Sequence, residues 1–168
     1  ERPLFDFILS DKYIIPNDKI NDYAETVLYL PHCYQPNIMN RPMLSSRFKK
    51  YYGFKDNTFI YACFSQPIKI TKDQFSIWIK ILKNSPSADL WLLDSNNLYK
   101  NNLWLYAQKN GVKKSRIKFA PKVSIDEHIN RHQIIDLFLD TFPYNAHTST
   151  SDAIWAGCPV LTLSGQTF

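Results

Sequence analysis

Phe59-Ile60-Tyr61-Ala62-Cys63-Phe64, followed by Ser65 to Ile70 and then Thr71 to Asn84, is the stretch on which the fold turns. The opening run is apolar at every position, which suits a parallel strand buried on both faces better than a half-exposed one. Ser65 to Ile70 reads as a loop. Thr71 then stands where a helix N-cap belongs, with Gln74 placed to complete a capping box. Phe75, Trp78, Ile79 and Leu82 recur at helical spacing, with Ile77 and Ile81 beside them, and Asn84-Ser85-Pro86 ends the segment.

The alternation continues downstream. Leu90-Trp91-Leu92-Leu93 predicts a second strand, and Asn101 to Asn110 a helix closed by Gly111. Ile117-Lys118-Phe119 is a third strand, Ile125 to His132 a helix, and Ile134 to Leu139 a fourth strand. Thr148 to Ala156 is a helix ended by Gly157, and Pro159 to Leu163 a fifth strand. Strands alternating with helices indicate an α/β fold, a Rossmann-like parallel sheet with helices on both faces. Upstream, Phe5 to Leu9 and Thr26 to Leu30 read as short strands. His32 to Pro42 is a linker rich in Pro and Asn, and a basic segment ends at Gly53. The expected division is therefore 1–53 and 54–168, with the second part carrying the Rossmann-like sheet.

Composition bounds the function. The 168 residues are 45% hydrophobic and 15% aromatic, enough for a core and too apolar for a disordered tail. Twenty Lys and Arg against 15 Asp and Glu give a net charge of +5, spread along the chain. That is chiefly a solvated surface, with room for an anionic ligand; no nucleic-acid partner is expected. Cys33, Cys63 and Cys158 show neither C-x-x-C nor metal spacing, which reads as reduced thiols in a cytoplasmic protein. No apolar stretch of about 18 residues occurs, so no membrane partner is expected. Glu1-Arg2-Pro3-Leu4 carries no Met and no signal-peptide pattern, and Leu163 to Phe168 follows directly on an apolar run. Both ends read as cut ends. Only four Gly are present, which leaves little for a Gly-rich phosphate loop.

In open α/β sheets, ligands bind beyond the carboxyl ends of the strands, so the loops there hold the candidate chemistry. After the first strand come Gln66 and Lys69: an amide donor and a point charge for a phosphate, or an exposed lysine ahead of a helix. After the fourth strand, Asp140 to Asn145 leads to a helix start at His147, Thr148 and Ser149. Free N–H groups, the helix dipole and the two hydroxyls suit an anion there. Asp152, one turn on, can accept ribose hydroxyls. The competing reading is a capped helix start with a satisfied carboxylate. His128 and Arg131, three apart, share a helix face and can touch a base or phosphate, or simply decorate the surface. His128 and His132 have the spacing of metal ligands but no third ligand nearby, so no metal is expected.

These stretches resemble the carboxyl-terminal half of the catalytic region in the protein O-GlcNAc transferase and SPINDLY-like glycosyltransferase family, in the manner of a bacterial member. The resemblance is carried by Phe64 to Ile70, Leu90 to Leu93, Arg116 to Phe119, Glu127-His128, Leu139 to Thr148, and Asp152 to Thr162. Tyr23 to Glu25 and Tyr29 to His32 are similar to the segment leaving the family's first catalytic lobe. The resemblance implies a GT-B fold of two Rossmann-like lobes, with 1–53 ending the first lobe and 54–168 forming the second, donor-binding one. It implies inverting, metal-independent transfer of a sugar from UDP-GlcNAc to Ser or Thr hydroxyls, with no cofactor.

By motif position, Gln66 and Lys69 face the diphosphate, and Lys69 neutralises the departing UDP. His147, Thr148 and Ser149 bind phosphates, Asp152 holds the ribose, and His128 and Arg131 lie near the uridine. Two positions depart from the human-type pattern: Ile125 stands where that pattern has a Lys, and Ser149 where it has a Thr. Plant SPINDLY proteins, with a GDP-fucose donor, lack the His and have Glu at the Asp152 position, so His147 and Asp152 together favour UDP. The protein acceptor is expected to meet parts outside these 168 residues, which alone are expected not to turn over. Two other readings remain open: a GT-B enzyme with another donor, such as a cytoplasmic N-linked glucosyltransferase, and a degenerate lobe kept as an interaction module.

Overall fold

The fold is that of a computed structural model, which describes residues 4–37 and 40–165. The chain separates into two compact units, Glu1–Arg41 and Pro42–Thr167. In the first, strands β1 (Phe7–Ser10) and β2 (Thr26–Tyr29) pair in parallel, with Leu9 opposite Leu28. The Asp11 carboxylate closes the turn after β1 by accepting the N–H groups of Tyr13, Ile14 and Tyr34.

The second unit is a five-stranded, wholly parallel sheet in the order β5-β4-β3-β6-β7. Its strands are β3 (Phe59–Cys63), β4 (Ala88–Leu93), β5 (Ile117–Ala120), β6 (Leu137–Leu139) and β7 (Val160–Leu161). Helices α1 (Lys72–Asn84) and α2 (Asn97–Lys109) follow β3 and β4, and α3 (Ile125–Asn130) and α4 (Thr148–Trp155) follow β5 and β6.

The continuous apolar runs have two destinations, as a strand's alternation requires. Tyr61, Cys63, Leu90, Leu92, Leu137 and Leu139 pack with Phe75, Trp78, Ile79 and Leu82 of α1 and with Ala107 of α2. Ile60, Ala62, Phe64, Trp91 and Phe138 pack on the opposite face with Ile134, Ile135 and Ala153. Right-handed crossovers account for the two layers. The chain runs outward from β3 to β5, then returns past β3 and continues in the other direction, which puts later helices on the other face. The order therefore reverses between β3 and β6, the position at which such sheets open a crevice for ligands.

Several boundaries differ from the sequence expectation. Helix α2 starts earlier, because Asn96 Oδ1 accepts the Tyr99 N–H at 2.8 Å and caps it there. Helix α3 is shorter, since the chain tightens into a 3-10 turn at Arg131–Ile134. Strand β6 begins at Leu137 and not Ile134, because the Asp136 carboxylate, not a strand carbonyl, takes the Ile60 N–H at 2.8 Å. Strand β7 is confined to Val160–Leu161.

Thr71 does cap α1, accepting the Gln74 N–H at 3.2 Å, but the Gln74 side chain does not reach back to complete a box. It bridges instead to the loop after β6, donating to Asp140 O at 2.6 Å and accepting from Phe142 N at 3.1 Å.

Pro42 to Gly53 groups with the second unit, ahead of the expected boundary after Gly53. Ser45 N donates to Asn130 Oδ1 at 2.6 Å, Arg47 pairs with Glu127 at 2.9 Å, and Lys49 pairs with Asp136 at 2.8 Å. Tyr52 Oη donates to the same Glu127. These bonds strap the segment to α3 and to the start of β6.

Candidate active site

Lys69 and the loop after β6 meet across the strand-order reversal. The Lys69 ammonium donates to Asn145 O at 3.0 Å and sits 4.1 Å above the centre of the Tyr144 ring. Tyr144 in turn stacks on His147, with the rings 7° from parallel and 5.7 Å apart. Burial lowers the pKa of Lys69 from the ordinary lysine value, while the Asp140 carboxylate acts the other way. Burial, and then the Lys69 charge, lower that of His147, so its imidazole is neutral near pH 7.

Asp140 organises this loop, a role the sequence reading did not assign. It is 7% exposed. One carboxylate oxygen accepts Thr141 N at 2.6 Å and Ala146 N at 2.7 Å. The other accepts Thr162 Oγ1 at 2.7 Å and Asn145 Nδ2 at 3.2 Å. Asn145 extends the staple to the chain beyond β7 by donating to Leu163 O at 2.9 Å. Four donors converging on one carboxylate hold the turn that aims Asn145 O at Lys69 and delivers the chain to His147. The signal available in the sequence was an Asp closing an apolar strand before a polar turn.

Helix α4 then starts at Thr148 without a side-chain cap. Its first N–H groups lack helical partners, which is the arrangement that favours an anion. Thr148 is exposed and Ser149 half-buried at that end, while Asp152 is buried. Gln66 is exposed beside the turn that carries Lys69.

The third predicted group also assembles. His128 Nε2 lies 3.8 Å from Asp152 Oδ2. The His128 ring packs at 5.7 Å from Phe64, the residue leading into the Gln66–Lys69 turn. Arg131 departs from both sequence readings. It is neither surface decoration nor open to a ligand, being 2% exposed. Its guanidinium lies 4.4 Å over the Phe64 ring and donates to Pro121 O and to His128 Nδ1, both at 2.7 Å. His132 is fully buried against Phe64 and Phe138 and donates through Nδ1 to His128 O at 2.7 Å. Among the described residues no cluster of His, Cys, Asp and Glu is arranged to hold a metal, and no helix is long and apolar enough to cross a membrane.

An apolar concavity adjoins the other side of the loop after β6 and shares Gln74 and Asp140 with it. About 690 Å³ opens between α1 and the β6–β7 edge, lined by Ile77, Trp78, Phe142, Leu161 and Leu163. It is mainly apolar and gathers no cation. The convergent charge, the uncapped helix start and the neutral imidazoles all lie at the β3–β6 reversal instead, where the chemistry of a phosphorylated ligand is best served.

A parallel sheet whose strand order reverses beside a lysine and a hydroxyl-bearing helix start is the architecture of a Rossmann-type lobe. The chain belongs to glycosyl transferase family 41, whose model matches residues 36–168. It is 34% identical over 164 residues to a probable UDP-N-acetylglucosamine–peptide N-acetylglucosaminyltransferase, SEC, of Arabidopsis thaliana, covering 94% of this chain and 17% of that protein. It is 35% identical over 126 residues to the UDP-N-acetylglucosamine–peptide N-acetylglucosaminyltransferase of Caenorhabditis elegans, covering 75% of this chain and 11% of that one. Among solved structures, a mutant of the Thermobaculum terrenum O-GlcNAc transferase superposes with a TM-score of 0.80 at 25% identity, over 96% of this chain and 30% of that chain. The chain thus spans less than a third of each of these relatives.

Proposed function

We propose that this protein transfers N-acetylglucosamine from UDP-GlcNAc to Ser or Thr hydroxyls of proteins, and that the second unit holds the donor. One observation carries the reading: the Lys69 ammonium is held by the loop that begins the uncapped helix α4, at the point where the strand order reverses. The diphosphate lies against the start of α4, meeting its N–H groups, Thr148, Ser149 and the neutral His147, with Gln66 as an amide donor opposite. Asp152 accepts the ribose hydroxyls and His128 flanks the nucleoside.

In the reaction, the acceptor hydroxyl oxygen attacks the anomeric carbon from the face opposite UDP and releases its proton to solvent. The bond to the β-phosphate oxygen breaks with its electron pair, and the configuration inverts. Negative charge grows on the departing UDP, and Lys69 is the residue positioned to neutralise it, so the transfer proceeds without a metal. The acceptor protein binds outside the donor-binding unit, and the reaction takes place in the cytoplasm, consistent with the unpaired Cys33, Cys63 and Cys158.

Donor competition checks this. UDP-GlcNAc, UDP-glucose and GDP-fucose are titrated against bound UDP in a calorimeter. UDP-GlcNAc is expected to displace UDP best and GDP-fucose to fail. Equal competition by GDP-fucose would contradict the donor assignment, and the absence of any nucleotide binding would favour an interaction module.

A further inference from the structure

The seat of the Lys69 ammonium is aromatic and not acidic. Among the described residues no carboxylate forms an ion pair with it. The opposite charge that acts on it is that of Asp140, whose carboxylate oxygens already accept four donors from the loop and from Thr162. The Cys63 thiol, pushed up to about 12 by burial, is neutral, and so is the His147 imidazole near pH 7. What holds the ammonium is the Asn145 carbonyl at 3.0 Å and the face of Tyr144, whose ring centre is 4.1 Å away. Tyr144 is fixed in turn. Its carbonyl accepts Thr141 Oγ1 at 2.8 Å, and its ring stacks on His147. The side chain is no core residue, being 42% exposed. An aromatic face attracts a cation through its quadrupole and carries no net charge of its own. A carboxylate in that place would hold the lysine as well and cancel its charge. An ammonium has three N–H donors, so one given to Asn145 O leaves others for a phosphate oxygen.

We propose that Tyr144 is a positioning residue for the transfer: its ring face holds the Lys69 ammonium in place for the departing diphosphate without neutralising it. The role in transfer rests on the donor reading above, while the ring contact and its effect on Lys69 do not. Burial works against the ammonium and lowers its pKa, whereas the Asp140 charge and the ring face favour it. The groups that face Lys69 are Cys63 at the end of β3, Asp140 just after β6, and Tyr144 and His147 ahead of α4. Loss of the ring therefore leaves a lysine that deprotonates at lower pH and is no longer held over the loop. Loss of the phenol hydroxyl alone leaves the ring face, and with it the contact.

The test begins with proton and carbon-13 NMR of the lysine side chains, Lys69 being assigned by the signal lost in Lys69→Gln. In the unsubstituted protein and in Tyr144→Phe, the Lys69 Hε protons are expected upfield of those of the other lysines, as protons over a ring face are. In Tyr144→Leu that displacement is expected to vanish and the Lys69 titration to move down by about one unit. Kinetics of a longer protein with both catalytic lobes completes it. Tyr144→Leu is expected to lower kcat about tenfold with the donor KM within about twofold, and to move the alkaline limb of kcat to lower pH. Tyr144→Phe is expected to keep both constants within about twofold. Lys69 Hε protons without an upfield shift in the unsubstituted protein overturn the proposal, with no variant needed. So does a Leu variant that titrates and transfers like its parent, or a Phe variant as impaired as the Leu one. Should the Leu variant fail to fold, the unsubstituted protein and the Phe variant still decide. Absence of UDP binding by the unsubstituted protein would overturn the donor reading, and the lysine NMR stands apart from it.

Discussion

Replacing Lys69 with Ala is expected to lower sugar transfer by about 100- to 1,000-fold, the size of effect seen when one preorganised group is removed from a developing charge. The Michaelis constant for the donor should change far less, because the ammonium matters most when the β-phosphate takes the full charge of the broken bond. The site favours this asymmetry. Lys69 is held in place by Asn145 O at 3.0 Å and by the Tyr144 ring at 4.1 Å. It therefore spends little on ordering when the donor arrives. Lys69→Arg should not rescue, since a planar fork cannot replace a point charge seated on a ring. Steady-state kinetics of a longer protein that carries both catalytic lobes, with UDP-GlcNAc and a protein acceptor, measures both constants. Transfer within a few-fold of normal in the Ala variant would remove Lys69 from the chemistry.

The second large effect is expected at Asp140, and it is structural and functional together. Asp140→Ala removes the acceptor for Thr141 N, Ala146 N, Thr162 Oγ1 and Asn145 Nδ2 at once. Bonds to a charged acceptor are worth about 1.5–3 kcal/mol each but are not additive, so a loss of about 3 kcal/mol overall is expected. That corresponds to a fall of roughly 10 °C in melting temperature for a chain of this size. The loop that carries Asn145, Tyr144 and His147 loosens with it, so UDP affinity should drop as well. Asp140→Asn should fall between the two. Its oxygen can still accept the two backbone N–H groups, but its amide then turns a donor toward the Asn145 amide. Circular dichroism melting and UDP calorimetry on both variants decide the matter. An Ala variant with normal stability and normal UDP binding would show that Asp140 does not organise the site.

Much of this was legible in the sequence, for a physical reason. Parallel strands covered on both faces must be apolar throughout, so Phe59–Phe64 and Leu90–Leu93 announced themselves, and the helix between them showed its buried face at Phe75, Trp78, Ile79 and Leu82. The candidate residues were readable as loops after strands, because a ligand at an open sheet has no other place to bind. What sequence could not give was the direction of side chains whose partners lie far along the chain. Gln74 fits a capping box by spacing, yet it crosses to Asp140 and Phe142. Arg131 reads as a surface cation because arginines usually are, yet the rings of Phe64 and Trp91 and the carbonyl of Pro121 enclose it. The late start of β6 had the same cause: Asp136 fills its ladder position with a side chain instead of a backbone carbonyl.

The reading of residues 54–168 as a donor-binding lobe is tested most directly by locating UDP on the protein. In a titration of nitrogen-15-labelled protein with UDP, backbone amide shifts are expected at Gln66–Lys69, at Asn145–Asp152 and around His128. Shifts confined to the apolar groove lined by Ile77, Leu161 and Leu163, or no shift at any UDP concentration, would contradict it.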